Sequence, residues 1–272
     1  MPGKGIQDGH RARKRFGQNF LVDHGVIERI LAAIPDGEEV VEIGPGLGAM
    51  TLPLARRHGR VVAIELDRDV IRHLQVTLDA ASLGRQVSLV GQDALRLDLA
   101  ALAEAEDLHP PLTVVGNLPY NIATALITRL LEQATLIGEM VFMVQKEVAG
   151  RLAAEPNDSA YGRLSVLVNA RARVEHLFDV PPEAFNPPPK VDSSVIRITP
   201  RAESLVPPEE RARFERLVTA AFTQRRKTLR NNLKPLMSAS TIEASGIDPS
   251  LRAQALDIPA FLTLARRLES TD

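Results

Sequence analysis

Asn117, Pro119 and Tyr120 stand within four residues of one another, and together they could hold a planar amine. The Asn side-chain oxygen can accept one hydrogen bond. Pro119 has no N–H, and its carbonyl is expected to accept a second. The Tyr120 ring can stack on a heterocycle. An exocyclic NH2 on a flat ring, as in adenine, cytosine or a carboxamide, matches that set. The tetrapeptide Asn117-Leu118-Pro119-Tyr120 follows the apolar, β-branched run 112–115 and precedes a helical pattern from 122 to 133. A strand therefore delivers it to the C-terminal edge of a sheet, where open α/β sheets bind ligands. The competing reading is a strand-to-helix turn in which Asn caps the helix and Pro begins it.

Other strand ends carry matching chemistry. Glu42-Ile43-Gly44-Pro45-Gly46-Leu47-Gly48 closes the first strand. This loop is one residue short of the dinucleotide fingerprint G-x-G-x-x-G, and its proline removes an N–H that a pyrophosphate would use. Glu65 ends the second strand, 21 residues after Gly44, where a carboxylate can accept both hydroxyls of a ribose. Asp93 ends the third, where an acceptor can read an adenine amine. Either acid alone is usually a solvated strand end. Together with the glycine loop they point to an adenosine-containing cofactor. The short loop disfavours NAD and FAD. S-adenosylmethionine has a ribose and an adenine but no phosphate, and its sulfonium suits an acidic mouth. With an amine-holding turn on the fourth strand, methyl transfer to an amino nitrogen is the simplest account.

The elements that must position these residues alternate. Helical spacing covers 24–34, 51–57, 69–78 and 99–105, and apolar strands are expected at 40–43, 61–64, 87–90, 112–115 and 140–144. Helices at 146–154 and 162–170 follow, then a late strand pair at 174–178 and 194–198 around a proline-rich stretch. This order predicts a parallel α/β sheet with right-handed crossovers; joined to the methyl-transfer chemistry above, it makes a Rossmann-like class I methyltransferase sheet the expected fold. After Arg201 only helices are expected, at 208–222, 226–236, 240–245 and 259–268. The expected organisation is a methyltransferase domain over 1–202 and a small all-helical, RNA-docking domain over 203–272.

Composition narrows the function. The chain has 272 residues, 44% hydrophobic and 25% charged, ordinary values for a soluble globular protein. There is no Cys, so no disulfide and no thiolate metal site. The six His show no metal-ligand spacing, so no metal is expected. No apolar run is long enough for a membrane span, and no apolar segment follows the basic start as in a secretory signal, so a cytoplasmic protein is expected. The net charge of −1 is unevenly spread. Lys4, Arg11, Arg13, Lys14 and Arg15 form a basic arm over 1–18, expected to be mobile. Arg216, Arg225, Arg226, Lys227, Arg230 and Lys234 fall in a stretch, 216–242, without one acid. One basic run is usually a solvated face; two separated runs favour a nucleic acid. Read as a helix, 226, 227 and 230 share a face, so Arg225, Arg226, Lys227 and Arg230 are expected to contact RNA phosphates.

The chain resembles the ribosomal RNA adenine N6,N6-dimethyltransferase family, and within it the bacterial small-subunit branch. The segments carrying the resemblance are 13–21, 41–48, 64–67, 92–94, 116–122, 145–148, 161–165, 185–193 and 222–233, in order along nearly the whole chain. The resemblance implies methyl transfer from S-adenosylmethionine to N6 of two adjacent adenosines in a 3'-terminal hairpin loop of 16S rRNA. The product would be N6,N6-dimethyladenosine, made during small-subunit biogenesis on the 30S subunit or its precursor. The resemblance further implies that Asn19 and Leu21 lie beside the cofactor's methionine and ribose, and Gly44 against its methionine part. Glu65 would take the ribose diol and Asp93 the adenine. Asn117 would face both methyl and amine, Tyr120 would stack on the target base, and Phe185 would close its other face. A monomer is expected. Three rivals carry marks of their own: the large-subunit RNA dimethyltransferase, a non-catalytic assembly factor lacking Asn117 or Glu65, and an NAD-linked oxidoreductase.

Overall fold

The computed structural model describes residues 19–37 and 39–268, with the backbone alone of 6–7 and 10–11. The remainder of the basic arm lies outside the described residues. The chain divides into two compact units, 1–149 with 175–200, and 150–174 with 201–272.

In the first unit, apart from the first three residues of β6, a seven-stranded sheet is built from β1 (Glu39–Ile43), β2 (Arg60–Glu65), β3 (Val87–Gly91), β4 (Leu112–Asn117), β5 (Ile137–Gln145), β6 (Ala172–Val180) and β7 (Ser193–Pro200). Its order is β3-β2-β1-β4-β5-β7-β6. The first five strands are parallel to their neighbours, and β7 runs antiparallel to β5 with Ser193 opposite Gln145. Strand order reverses between β1 and β4, so their C-terminal ends flank the switch point. The middle strands are buried on both faces and so read as unbroken apolar runs: Val61, Val62, Ala63 and Ile64 are all inaccessible or nearly so.

Helix α1 (His24–Ala33) precedes the sheet, and α2 (Thr51–Arg57), α3 (Arg68–Ala80), α4 (Leu99–Glu106) and α5 (Ala123–Leu131) lie in the crossovers between its parallel strands. Helix α3 shows why the sequence folds so. Val70, Leu74 and Leu78 recur every fourth residue and are fully buried, each contributing about 1.5–3 kcal/mol. Asp67 caps it, accepting from Asp69 N at 3.0 Å. The expected helices of this unit all form, with ends shifted by at most two residues.

The second unit contains α7 (Arg163–Asn169), α8 (Arg211–Ala221), α9 (Leu229–Asn232), α10 (Ala239–Glu243) and α11 (Ile258–Ala265), and α6 (Lys146–Ala153) runs into it from the first. Its core holds Phe214, Leu217, Val218, Leu229, Leu233, Ile242 and Phe261. Two expectations need correction here. The helical unit takes in residues 150–174 as well as the C-terminal part, because Tyr161, Val166 and Ala170 pack into its core and Tyr161 Oη donates to Leu256 O at 2.9 Å. The helix expected over 226–236 shrinks to 229–232. Buried Asn232 donates through Nδ2 to Ala221 O at 2.7 Å and to Gln224 O at 3.1 Å. Those bonds fold the chain into a turn through 225–227, which breaks the helix.

Candidate active site

A cleft of about 800 Å³ opens at the C-terminal ends of the strands in the first unit. Asn19, Leu21, Gly44, Glu65, Asp93, Asn117, Pro119 and Tyr120 all line it. The eight residues that the sequence reading proposes for cofactor binding and catalysis thus share one surface.

The glycine loop forms the floor. Gly44 has φ +69° and Gly46 φ +54°, a region that side chains rarely adopt. A Cβ on Gly46 would also meet the Phe20 ring at 3.2 Å, so glycine lets Phe20 close down on the loop without a shift of the ring. Leu21 and Phe20 are held there by a short antiparallel ladder, Leu21 to Phe185 and Phe20 to Asn186.

Glu65 is largely buried. Its Oε1 accepts from Leu66 N and Asp67 N, both at 2.8 Å, which fixes the carboxylate over the cleft. Burial raises its pKa, opposed by the backbone N–H groups of Asp67, Leu66 and Gly46. Asp93 accepts from Leu95 N through Oδ1 at 3.0 Å, capping a short turn at 94–96. Glu42 is the residue that sequence patterns passed over. It lines the cleft two residues before Gly44, is fully buried, and neither carboxylate oxygen makes a hydrogen bond. Burial pushes its pKa up to about 7, opposed by Thr51 and reinforced by the charge of Glu65. Acids in a strand already assigned to the core are hidden from pattern reading, because alternation and apolar runs treat them as noise.

The turn from Asn117 to Tyr120 is fixed on both sides. Leu118 N donates to Met143 O at 3.0 Å, tying the turn to β5. Asn117 Nδ2 donates to the backbone oxygen of Asn19 at 3.1 Å, so the amide oxygen is left to accept. Tyr120 Oη lies 2.7 Å from Ser193 Oγ, and burial raises its pKa. Asn117 caps no helix; the N-cap of α5 is Ile122.

Three site expectations are corrected by this geometry. The Pro119 carbonyl is not free, since it accepts from Ile122 N at 3.0 Å and Ala123 N at 3.1 Å as α5 begins. The turn's own hydrogen bonds leave out the Leu118 carbonyl instead. Phe185 is 3% exposed and belongs to the hydrophobic core; it does not line the cleft, although Leu21, its partner across the ladder, does. In the second unit Arg226, Lys227 and Arg230 do not share a helix, because 226 and 227 lie in the turn before α9. They are exposed and form no ion pair among the described residues. Arg225 is committed, with Nη2 donating to Ser159 O at 2.5 Å and Tyr161 O at 3.4 Å.

The cleft's charge decides what adenosine-bearing group the residues fit. Glu28, Glu42, Glu65 and Asp93 line it against a single Arg56. Two buried carboxylate oxygens without partners call for a cationic or donating ligand. A pyrophosphate would be repelled there, whereas a sulfonium-bearing nucleoside fits. No group of acids, His and Cys among the described residues could hold a metal ion.

Comparison with known proteins agrees with this chemistry. A family model described as ribosomal RNA adenine dimethylase matches residues 9–270. The ribosomal RNA small subunit methyltransferase A of Pseudomonas aeruginosa is 54% identical over 261 residues, covering 95% of each chain. Among solved structures, a dimethyladenosine transferase from Plasmodium falciparum superposes with TM-score 0.75 at 25% identity, covering 90% of this chain and 95% of its own. The 23S rRNA methyltransferase ErmE gives TM-score 0.70 at 27% identity, covering 92% and 99%.

Proposed function

The chain belongs to the ribosomal RNA adenine dimethylase family, and from that premise we propose how its site dimethylates adenine N6 in small-subunit rRNA. The substrate is read as two adjacent adenosines in a 3'-terminal hairpin loop of 16S rRNA, within the 30S subunit or its precursor.

The residues that would hold S-adenosylmethionine are Glu65 at the ribose, Asp93 at the adenine, and Asn19, Leu21 and Gly44 at the methionine end. When bound, the cofactor supplies an electrophilic methyl on a positively charged sulfur. The rest of the task falls to the protein. Adenine N6 is a weak nucleophile because its lone pair is delocalised into the ring. Asn117 Oδ1 accepts one N6 hydrogen, and the Leu118 carbonyl, in place of Pro119, accepts the other. Together they draw the hydrogens out of the ring plane and turn the lone pair toward the methyl. Pro119 contributes by starting α5 and so fixing the turn. The Tyr120 ring offers the stacking face for a base taken out of its stack, a step that costs least in a single-stranded loop. Tyr120 is no base: its hydroxyl is tied to Ser193 and its pKa is raised. The N6 proton passes to solvent after transfer, and positioning supplies most of the acceleration.

The observation that carries this reading is the Asn19 carbonyl holding the Asn117 amide, which fixes the oxygen as acceptor. Arg226, Lys227 and Arg230 are read as phosphate contacts that dock the RNA without reading sequence. The decisive experiment incubates the chain and labelled cofactor with small ribosomal particles lacking the modification, followed by nucleoside analysis. N6,N6-dimethyladenosine in the small-subunit rRNA is expected. No label in that rRNA, with label appearing instead when large ribosomal particles are supplied in a parallel incubation, or label in another nucleoside, would overturn the assignment.

A further inference from the structure

A second cleft, of about 540 Å³, is lined by Gln145, Lys146, Glu147, Lys190, Val191 and Asp192. Both of its walls continue segments that frame the catalytic turn. On β5, Met143 takes the Leu118 N–H, and Gln145 follows two residues later. On β7, Ser193 meets the Tyr120 hydroxyl at 2.7 Å, and Asp192 immediately precedes it. Ser193 and Gln145 are themselves paired across the ladder, so the cleft begins where the Tyr120 platform ends.

The charges in this cleft are unequal in availability. Lys146 is held by Asp179 at 2.6 Å and lies 4.0 Å from Asp192. Glu147 has a partner of its own. Lys190 is exposed and forms no ion pair or hydrogen bond among the described residues. Beside it Val191 keeps 46% of its surface exposed, an apolar face next to an available cation. Such a pair suits a nucleotide, whose base needs a flat apolar contact and whose phosphate needs a cation.

The reaction adds a geometric demand. Two neighbouring adenosines are modified, while the turn takes one base at a time, so the other must lie somewhere close. We propose that the second cleft seats the nucleotide adjoining the target adenosine, with the Lys190 ammonium on its phosphate and Val191 under its base. This rests on the rRNA dimethyltransferase reading of the strand-end cleft.

The test compares the full wild-type chain with Lys190→Gln, Lys190→Arg and Val191→Ser. Two substrates are used: small ribosomal particles lacking the modification, and the protein-free RNA of the 3'-terminal hairpin for binding. Lys190→Gln should weaken hairpin binding roughly tenfold, as for one charge-assisted hydrogen bond. It should flatten the salt dependence by about 0.7, the value for one phosphate on a single strand. The particle KM should rise while cofactor affinity stays as in wild type, and Lys190→Arg should restore binding. Val191→Ser should lower the fraction of product methylated on both adenosines. Hairpin binding and salt slope equal to wild type in Lys190→Gln would overturn the proposal. So would a defect seen on particles but absent on the hairpin, which would mark a ribosomal protein contact. A wild-type chain that methylates no small-subunit adenosine overturns the functional reading itself, and is thereby distinguished from failure of the Lys190 role alone.

Discussion

The strand-end cleft and the basic turn of the helical unit handle polar groups in opposite ways. In the cleft nearly every functional side chain is already bonded on one side. Asn117 gives one amide hydrogen to the Asn19 carbonyl, Glu65 takes two backbone N–H groups with one oxygen, Asp93 caps a turn, and Tyr120 meets Ser193. In the turn before α9, Arg226 and Lys227 stand exposed without ion pairs among the described residues, as does Arg230 in the helix. Methyl transfer along a line depends on angle, and angle is fixed by bonds made in advance. Attraction to a polyanion depends on charge and distance, and a long unrestrained side chain supplies both. Arg225 marks the difference within a single run: bonded to Ser159 and Tyr161 carbonyls, it serves the fold.

The sharpest way to break this comparison is at Asn117. Asn117→Ala should lower turnover on the order of 100- to 1,000-fold, the cost of removing one preorganised transition-state partner. Calorimetric cofactor affinity should change little by comparison, because the hydrogen bond removed belongs to the amine. Near-normal turnover would show that the bonded geometry is incidental.

Glu42 is the exception within the cleft, a buried acid with no bond made in advance. Its folded pKa of about 7 lies above the usual 4.5, so the folded state binds that proton more tightly than the unfolded chain. Ionisation therefore costs stability. The cost is absent below about pH 4.5, grows as pH rises toward 7, and reaches on the order of 3 kcal/mol above it. Relative to wild type, Glu42→Gln should gain that much between pH 4.5 and 8 in urea unfolding. Parallel stability profiles for the two chains would mean that Glu42 finds a partner in solution.

Glu65→Ala should weaken S-adenosylmethionine binding by roughly 1.5–3 kcal/mol, the range for hydrogen bonds to a charged group. Unchanged affinity in calorimetry, or tighter binding of NAD, would remove the ribose role.

The smallest effect on chemistry is expected in the helical unit. Replacing Arg226, Lys227 and Arg230 with Gln should leave cofactor affinity unmoved. It should weaken binding to different RNAs alike and flatten the salt dependence by about 0.7–0.9 for each phosphate no longer neutralised. An unaltered slope in titrations from low to moderate salt would mean that these cations are merely solvated.

Much of this molecule was legible in the residues themselves. Unbroken apolar runs and four-residue spacings depend on neighbours close in sequence, so the strands and crossover helices of the first unit could be read directly. Once those were placed, the glycine loop, Glu65, Asp93 and Asn117 fell at strand ends, and a parallel sheet gathers strand ends on one edge. The amide, the acids and the phosphate-unfriendly loop then named the chemistry.

What only the tertiary structure decided was which polar groups remain unused. Pro119 and Leu118 both carry carbonyls, but the first turn of α5 points two N–H groups at Pro119 and none at Leu118. The orientation of the Asn117 amide depends on Asn19, 98 residues away. Phe185 packs into the core instead of lining the cleft, and residues 150–174 joined the helices because Tyr161 reaches Leu256. Sequence patterns record the spacing of bonds within an element. The occupancy of a given donor or acceptor is decided by partners far along the chain, brought within 3 Å or so by packing.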